Sequence, residues 1–202
     1  MTLDRRSVMS LGIGGAALLA VGPAFALTED EARRHVEGTI TELLGLLKDT
    51  TSVGAIAPKL RAIMETRSNM PQIARFSAGR VWLDMSDAQR SRYTDAFAHF
   101  VSVVYARQFV GFTGNPNIQI SKILDAGRKG FLVQTPLISP SGTPLSVEWL
   151  ISDRGGKVEV VDIVVEGISM AVTQREEIAA MFESRGGDIE QLIATLKGEQ
   201  AG

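Results

Sequence analysis

The stretch of sequence that decides the fold runs from residue 93 to residue 112 and reads YTDAFAHFVSVVYARQFVGF. Half of the aromatic side chains lie in it, since the whole chain has 2 Trp, 2 Tyr and 8 Phe. Polar residues interrupt the stretch throughout, so it cannot form a membrane span. Its apolar residues recur three and four positions apart and form a wide stripe, which is typical of a helix that covers a sheet. The stretch therefore predicts a long amphipathic helix in the middle of the domain.

Capping signals mark the start of this helix and of the helices around it. Ser86-Asp87-Ala88-Gln89 is a capping box, and Gly111 with Gly114-Asn115-Pro116 is expected to end the helix. Thr28-Glu29-Asp30-Glu31 is a second capping box, and the apolar positions behind it are Val36, Ile40, Leu43, Leu44 and Leu47. Further helices are expected over about 57–67, 71–82 and 173–184, with a last one that carries Ile189, Leu192, Ile193 and Leu196.

Between these helical regions, apolar and polar residues alternate with a period of two. Turns rich in Gly, Pro and Asp separate four such segments, whose apolar positions are Ile118 and Ile120; Phe131, Val133 and Leu137; Leu145, Val147, Trp149 and Ile151; and Val161, Ile163 and Val165. This pattern predicts four antiparallel strands with one apolar face. Helices, then a meander, then helices indicate an α+β fold with about six helices.

The first 26 residues predict an export signal. They have a basic start, an apolar middle and an Ala24-Phe25-Ala26 ending, so the mature chain is expected to cover 27–202 as one domain. Arg5 and Arg6 favour the twin-arginine route, with ordinary Sec export as the alternative. The expected location is the bacterial periplasm.

Composition excludes several classes of function. The mature chain keeps 19 basic and 22 acidic side chains and has no basic block, so a nucleic-acid partner is not expected. Cysteine is absent, which excludes disulfides and thiolate zinc sites. Only His35 and His99 are present, and neither has a second histidine at metal-ligand spacing, so no metal site is expected.

Two carboxylates on the predicted strands are the candidates for catalysis. Asp162 interrupts the last strand and Glu148 precedes Trp149 in the third. Alternation places both on the face opposite the apolar one, whereas a general base with a raised pKa needs an apolar pocket. The sequence therefore predicts no enzyme, and an enzyme that uses Asp162 or Glu148 remains an alternative.

The apolar stripe and the apolar sheet face permit either a filled core or a cavity. Small residues at Ala96, Ala98, Ser102 and Ala106 leave gaps between the large rings of the long helix. An apolar cavity would be the default ligand site, but periodicity does not distinguish it from a filled core. A protein-binding adaptor without a small ligand is therefore a second alternative.

Two regions of the chain have distinctive patterns. One is residues 73–82, IARFSAGRVW, together with Ser86, Gln89, Arg90 and Phe97, and the other is residues 161–170, VDIVVEGISM, followed by Arg175. Both are similar to signatures of the MlaC family, the periplasmic phospholipid-binding proteins of the Mla system, which are also called toluene-tolerance proteins. The likeness covers nearly the whole mature chain. The sequence departs from the pattern at Gln174, where the family has an aromatic residue before the arginine.

The resemblance implies a curved sheet like that of nuclear transport factor 2, wrapped by helices around a cavity for acyl chains. It implies no enzymatic activity and no cofactor, with bound phospholipid as cargo. The implied partners are an outer-membrane lipoprotein complex and an inner-membrane ABC transporter complex with its substrate-binding subunit. The expected cavity-lining residues are Trp82, Phe97, Phe100, Val101, Val104, Tyr105, Phe109, Phe131, Val133, Val147, Trp149, Ile151, Val161, Ile163 and Val165, and the expected head-group contacts are Arg80, Arg107 and Arg175.

Overall fold

A computed structural model describes residues 27–49, 52–110, 118–138 and 142–198 of the chain. The predicted signal peptide at 1–26 lies outside these residues. So do Gly111 and the Gly114-Asn115-Pro116 segment that were expected to end the long helix.

Seven helices account for most of the described residues. They are α1 (Glu29–Asp49), α2 (Val53–Arg67), α3 (Met70–Ala78), α4 (Val81–Asp84), α5 (Asp87–Phe109), α6 (Met170–Ser184) and α7 (Ile189–Leu196). The capping box at Ser86 is confirmed, because its hydroxyl accepts from the Gln89 amide while the Gln89 side chain accepts from the Ser86 backbone. Thr28 and Glu31 make the same reciprocal bonds at the start of α1.

The third predicted helix, over about 71–82, is divided in two. Gly79 separates α3 from α4 and has φ +58° and ψ −126°, a backbone conformation that residues with a Cβ rarely adopt. The chain therefore leaves the helical conformation at Gly79, and a separate short helix, α4, begins at Val81. Periodicity continues across such a break, which is why the sequence suggested one helix.

The main sheet has five antiparallel strands, which confirms the α+β class and adds a strand to the four expected. The strands are β1 (Lys122–Asp125), β2 (Phe131–Gln134), β3 (Leu137–Ile138), β4 (Pro144–Leu145), β5 (Val147–Ser152), β6 (Glu159–Val165) and β7 (Ile168–Ser169). The order in the main sheet is β1-β2-β5-β6-β7, and β3 and β4 form a separate pair. The first strand begins at Lys122, so the prediction that it contains Ile118 and Ile120 is wrong.

A bulge in β6 changes the apolar face that the sequence predicted. Trp149 pairs with Ile163 and Leu150 with Asp162, but Ile151 pairs with Val160, so Val161 is the extra residue. The alternation 161, 163, 165 is therefore wrong at its first position. Val160 is the buried residue opposite Ile151.

Three apolar clusters hold these elements together. In the first cluster, α1 packs across the sheet. The residues of this cluster include Ala32, Val36, Val133, Trp149 and Ile151. In the second, α3, α5, α6 and α7 pack on one another around Ala74, Tyr93, Phe97, Ile178 and Leu192. The third joins α2 to the ends of α1 and α5 through Leu46, Ile56, Leu60 and Ala106.

Hydropathy along the helices places no span in the described part of the chain. Across those ranges, no helix combines the length and the apolar character that crossing a bilayer requires.

Candidate functional site

An apolar pocket lies where the sheet cluster, the helical cluster and the α2 cluster meet. Its walls come from α1, α2, α3, α5, the start of α6, the β3–β4 pair, and strands β5 and β6. Its volume is about 320 Å³, which lies in the range of small-molecule sites.

The second half of α5 forms one wall. Phe97, Val101, Tyr105 and Phe109 are spaced four residues apart and all line the pocket. Residues at that spacing lie on nearly the same face of a helix. The first half of α5 packs differently, because the ring of Tyr93 stacks on that of Phe97 at 6.1 Å and is fully buried. One helix therefore serves both a filled core and a pocket wall.

The sheet supplies the opposite wall. Val147 and Trp149 of β5 line the pocket together with Ile163 and Val165 of β6, their cross-strand partners. The indole Nε1 of Trp149 donates to Thr135 Oγ1 at 2.8 Å, so the polar group of this ring is already satisfied. What Trp149 offers the pocket is apolar surface.

Nine of the fifteen predicted lining residues lie on the pocket wall. They are Phe97, Val101, Tyr105, Phe109, Val147, Trp149, Val161, Ile163 and Val165. The structure places six elsewhere: Trp82, Phe100, Val104, Phe131, Val133 and Ile151. Phe100 packs in the helical cluster, while Phe131, Val133 and Ile151 pack against α1. Alternation finds an apolar sheet face, but α1 covers one end of that face and leaves only the other open.

The sequence analysis did not predict the residues of α1 and α2 that line the pocket. The sequence showed Ile40, Leu43, Leu44 and Leu47 as an apolar stripe, and the structure places all four on the pocket wall. The signal was present, but a stripe that borders a pocket has the same periodicity as one that borders a filled core.

None of the three arginines expected to contact a head group lies on the wall. Arg175 instead places its guanidinium over the ring of Phe76, 5.3 Å from the ring centre. The arginine on the wall is Arg67, the last residue of α2, whose guanidinium pairs with the Glu42 carboxylate through Nε at 3.1 Å and through a second, shorter bond.

Three of the polar residues on the wall lie around the junction of β6 and the start of α6. Tyr105, Asp162 and Gln174 belong to this region, which we call the polar end of the pocket. Burial, together with the nearby charges of Glu177 and Asp162, raises the pKa of Tyr105 to about 12. The phenol therefore stays protonated at physiological pH.

Asp162 lies on the pocket wall. It pairs with Leu150, so strand alternation would place it on the sheet face opposite to that of Trp149 and Ile163. The expectation that it would face away from the pocket is wrong, because α6 packs against β6 and extends the wall past the strand. Its carboxylate already accepts three hydrogen bonds: from the Ile163 and Ala171 amides at 2.8 and 3.0 Å, and from Ser169 Oγ at 2.5 Å.

The other acidic candidate, Glu148, is not among the residues of the wall and accepts a hydrogen bond from Gln134 Nε2 at 2.6 Å.

No grouping of His, Cys, Asp and Glu fit to hold a metal ion occurs in the ranges that the structure covers. The half-buried His35 shares a hydrogen bond of 2.9 Å with the Arg67 carbonyl, and burial lowers its pKa.

Comparison with known proteins gives three consistent similarities. The family model described as MlaC protein matches residues 37–198. The toluene tolerance protein ttg2D of Pseudomonas putida is 22% identical over 194 residues, which cover 93% of this chain and 90% of that protein. A phospholipid-binding protein from Ralstonia solanacearum, solved in complex with a phospholipid, superposes with a TM-score of 0.69 at 16% identity and covers 83% of this chain and 96% of its own. At that identity, the third similarity establishes the fold alone.

Proposed function

This chain belongs to the MlaC family, and we propose that it is a phospholipid carrier whose apolar pocket takes the acyl chains of its cargo. The observation that carries the proposal is the pocket itself, which has apolar walls from both the helices and the sheet. The phospholipid bound to the structurally similar Ralstonia protein supports the same ligand class.

The physical need for such a pocket follows from the cost of moving a lipid through water. Each buried methylene contributes about 0.8 kcal/mol, so one long acyl chain contributes roughly 10 kcal/mol. A lipid therefore leaves a bilayer at a useful rate only when a carrier buries its chains almost as well. Transfer is then nearly neutral in free energy, and docking to a partner can decide its direction.

The proposed setting is the periplasm, with export through the signal at 1–26. Cargo would pass between an outer-membrane lipoprotein complex and an inner-membrane ABC transporter complex with its substrate-binding subunit. Membership of the MlaC family supports these partners.

We propose no catalytic step. Asp162 accepts three hydrogen bonds, which tie its carboxylate to the Ile163 and Ala171 amides and to the Ser169 hydroxyl where α6 begins. Glu148 lies off the wall. An enzyme based on either carboxylate would need a free base within the pocket.

The direct test is the lipid content of the protein purified from cells under native conditions. We expect mass spectrometry of an organic extract to detect phospholipid in an amount comparable to that of the protein. Extracts free of phospholipid would contradict the proposal.

A matched pair of variants tests whether the pocket is the binding site. Val101→Trp introduces a large ring at a wall position, whereas Val104→Trp makes the same change on the same helix away from the wall. We expect the first to reduce bound phospholipid by at least about fivefold, because the ring occupies the space of the chains, and the second to reduce it much less. Circular dichroism verifies the fold of both variants, and equal lipid content in the two would place the ligand elsewhere.

A further inference from the structure

An outward-facing surface on α3 and α6 combines apolar and basic side chains. On α3, the exposed positions 71, 72, 75 and 76 fall on one side of the helix and include Arg75 and Phe76. Phe76 leaves 42% of its surface exposed, and Val172, in the first turn of α6, leaves 44%. Arg175 is exposed one turn after Val172. We call Arg75, Phe76, Arg80, Val172 and Arg175 the α3–α6 surface.

Contacts of Arg175 join the two helices into one surface. Its guanidinium lies over the ring of Phe76, 5.3 Å from the ring centre. A Cβ built on Gly79, which follows the last residue of α3, would be 3.3 Å from Arg175 Nε. The Arg175 side chain therefore reaches from α6 across the end of α3. The exposed residue Arg80 follows Gly79 directly, so its backbone lies beside the Arg175 side chain.

The charge of this surface is not balanced by acidic partners. Within the part of the chain that the structure describes, no carboxylate forms an ion pair with Arg75, Arg80 or Arg175, whereas ion pairs hold five other arginines, Arg33, Arg61, Arg67, Arg90 and Arg92. Helix α3 contains no acidic residue, and the nearest carboxylates along the chain are Asp84 and Glu176. The surface therefore has an excess of positive charge, although the whole chain has a net charge of −2.

This combination suits the surface of a phospholipid bilayer. A guanidinium that stacks on a ring keeps its N–H groups at its edges, where the oxygens of a phosphate can accept two hydrogen bonds. Exposed apolar side chains beside the cations can enter the boundary between head groups and acyl chains. Negatively charged lipids add an attraction for every arginine close to the membrane.

The position of the surface relative to the pocket favours the same occupant. The other sides of these two helices line the pocket, through Ile73 of α3 and through Met170 and Gln174 of α6. A helix with its side chains is about 10 Å thick. A bilayer on the α3–α6 surface would therefore lie about one helix diameter from an apolar pocket, which is where a protein that handles lipids would use a membrane contact.

We propose that the α3–α6 surface docks this protein on membranes that contain anionic phospholipids. Phe76 and Val172 enter the head-group region, and the three arginines pair with lipid phosphates. This inference goes beyond the proposed carrier function, because docking requires no cargo in the pocket.

The test measures how strongly the purified protein binds to two kinds of vesicle in a flotation assay. One kind contains phosphatidylcholine alone, and the other contains equal amounts of phosphatidylcholine and phosphatidylglycerol. We expect the wild-type protein to bind the anionic vesicles at least about tenfold more strongly, since several arginines act together. This preference should decrease as salt is added, because salt screens the charges.

Arginine variants test whether the α3–α6 surface carries the binding. Arg175→Ala should weaken binding to the anionic vesicles about fivefold, and the double variant Arg75→Ala/Arg175→Ala about 25-fold, because each arginine near such a membrane contributes about that factor. Arg34→Ala changes the net charge by the same amount at an exposed position of α1, so it is the matched control and should bind almost as the wild-type protein does.

A second pair of variants tests the apolar contribution. Phe76→Ser should weaken binding at least about fivefold, because it removes a ring that the membrane would bury. Ile138→Ser makes a similar change at an exposed apolar residue of β3 and should have little effect. Circular dichroism verifies the fold of each variant, and the comparison of the two vesicles by the wild-type protein depends on no variant.

Equal binding of the wild-type protein to both vesicles, or binding to neither, would overturn the docking surface, while phospholipid in the natively purified protein would still support the carrier function. Equal losses in Arg34→Ala and Arg175→Ala would also overturn it, because net charge alone would then explain the binding. A wild-type dimer in sedimentation velocity that Phe76→Ser separates would show that a second copy of the chain covers this surface instead.

Discussion

Tyr93 and Tyr105 lie on the same helix, yet their hydroxyl groups have opposite surroundings. The Tyr93 hydroxyl is 2.8 Å from Ser77 Oγ, and Ser77 uses its own proton to bond the Ala74 carbonyl at 2.8 Å. Tyr93 is therefore the donor to Ser77, in a closed chain of bonds inside a filled core. No hydrogen bond to the Tyr105 hydroxyl is found in the described residues, and Tyr105 lines the pocket. The same residue type thus closes a filled core at one position and forms part of the pocket wall at the other.

The first prediction concerns Tyr93. Tyr93→Phe removes one buried neutral hydrogen bond and leaves the ring in place, so we expect a loss of about 1 kcal/mol in the free energy of unfolding. Urea denaturation measures it. Bound phospholipid should not change, because Tyr93 lies off the pocket wall. A loss of lipid with unchanged stability would show that the two tyrosines have been assigned the wrong roles.

Single residues also determine how closely two strands of the sheet can approach each other. The turn between β1 and β2 ends at Gly130, which has φ +109° and lies so close to β5 that a Cβ built there would be 1.9 Å from the Ile151 carbonyl oxygen. Gly127, in the same turn, has φ +59°, and no atom of the described residues comes within 4 Å of a Cβ added to it. A side chain at Gly127 would therefore strain only the backbone conformation, whereas a side chain at Gly130 would also collide with β5.

The second prediction compares these two positions. Gly127→Ala should lower the free energy of unfolding by about 1 kcal/mol, which is the penalty of a left-handed conformation for a residue with a Cβ. Gly130→Ala adds a collision with the backbone of β5, so we expect a loss of about 3 kcal/mol in the free energy of unfolding. Thermal or chemical denaturation of both proteins checks the order, and equal losses would show that strand β2 moves away from β5 without cost.

Asp162 joins β6 to the start of α6, and it gives the third prediction. Asp162→Ala removes an acceptor of three hydrogen bonds and should lower the free energy of unfolding by about 3 kcal/mol. Glu148→Ala removes an acceptor of one bond and should cost about 1 kcal/mol. If Asp162→Ala were as stable as the wild-type protein, its carboxylate would have no structural role, and catalysis would have to be reconsidered.

At the scale of the whole molecule, the described residues form a helical cluster, a sheet cluster and an α2 cluster that meet around a pocket instead of merging into one. A ligand in that pocket would complete the packing between them. Binding to the native state alone stabilises a protein in proportion to the logarithm of ligand concentration over Kd. Bound lipid should therefore contribute measurably to the stability of this fold.

The fourth prediction is the effect of removing the lipid. A ligand at a hundred times its Kd contributes about 2.7 kcal/mol, which in a domain of this size raises the Tm by roughly 8 °C. Delipidated protein should melt lower by about that amount in calorimetry and recover when lipid is returned. Val101→Trp, with its pocket filled, should show a much smaller difference, and an equal difference would indicate that lipid stabilises the protein from outside the pocket.

The α+β class, the main helices and the two capping boxes followed from local sequence, because caps and periodicity are properties of neighbouring residues. The family followed in the same way from the signatures at 73–82 and 161–170. Local sequence also identified one wall of the pocket, since the stripe on α5 contains Phe97, Val101, Tyr105 and Phe109, which line it.

Tertiary packing decided the rest. Periodicity is the same whether an apolar face meets other side chains or empty space, so it could not separate Phe100, which only packs against the helical cluster, from Val101, which belongs to that cluster and also lines the pocket. The bulge at Val161 depends on the pairing of β6 with β5, a strand from another part of the sequence. The contact of Arg175 with Phe76 joins two helices that are distant in sequence, and only the assembled fold determines that.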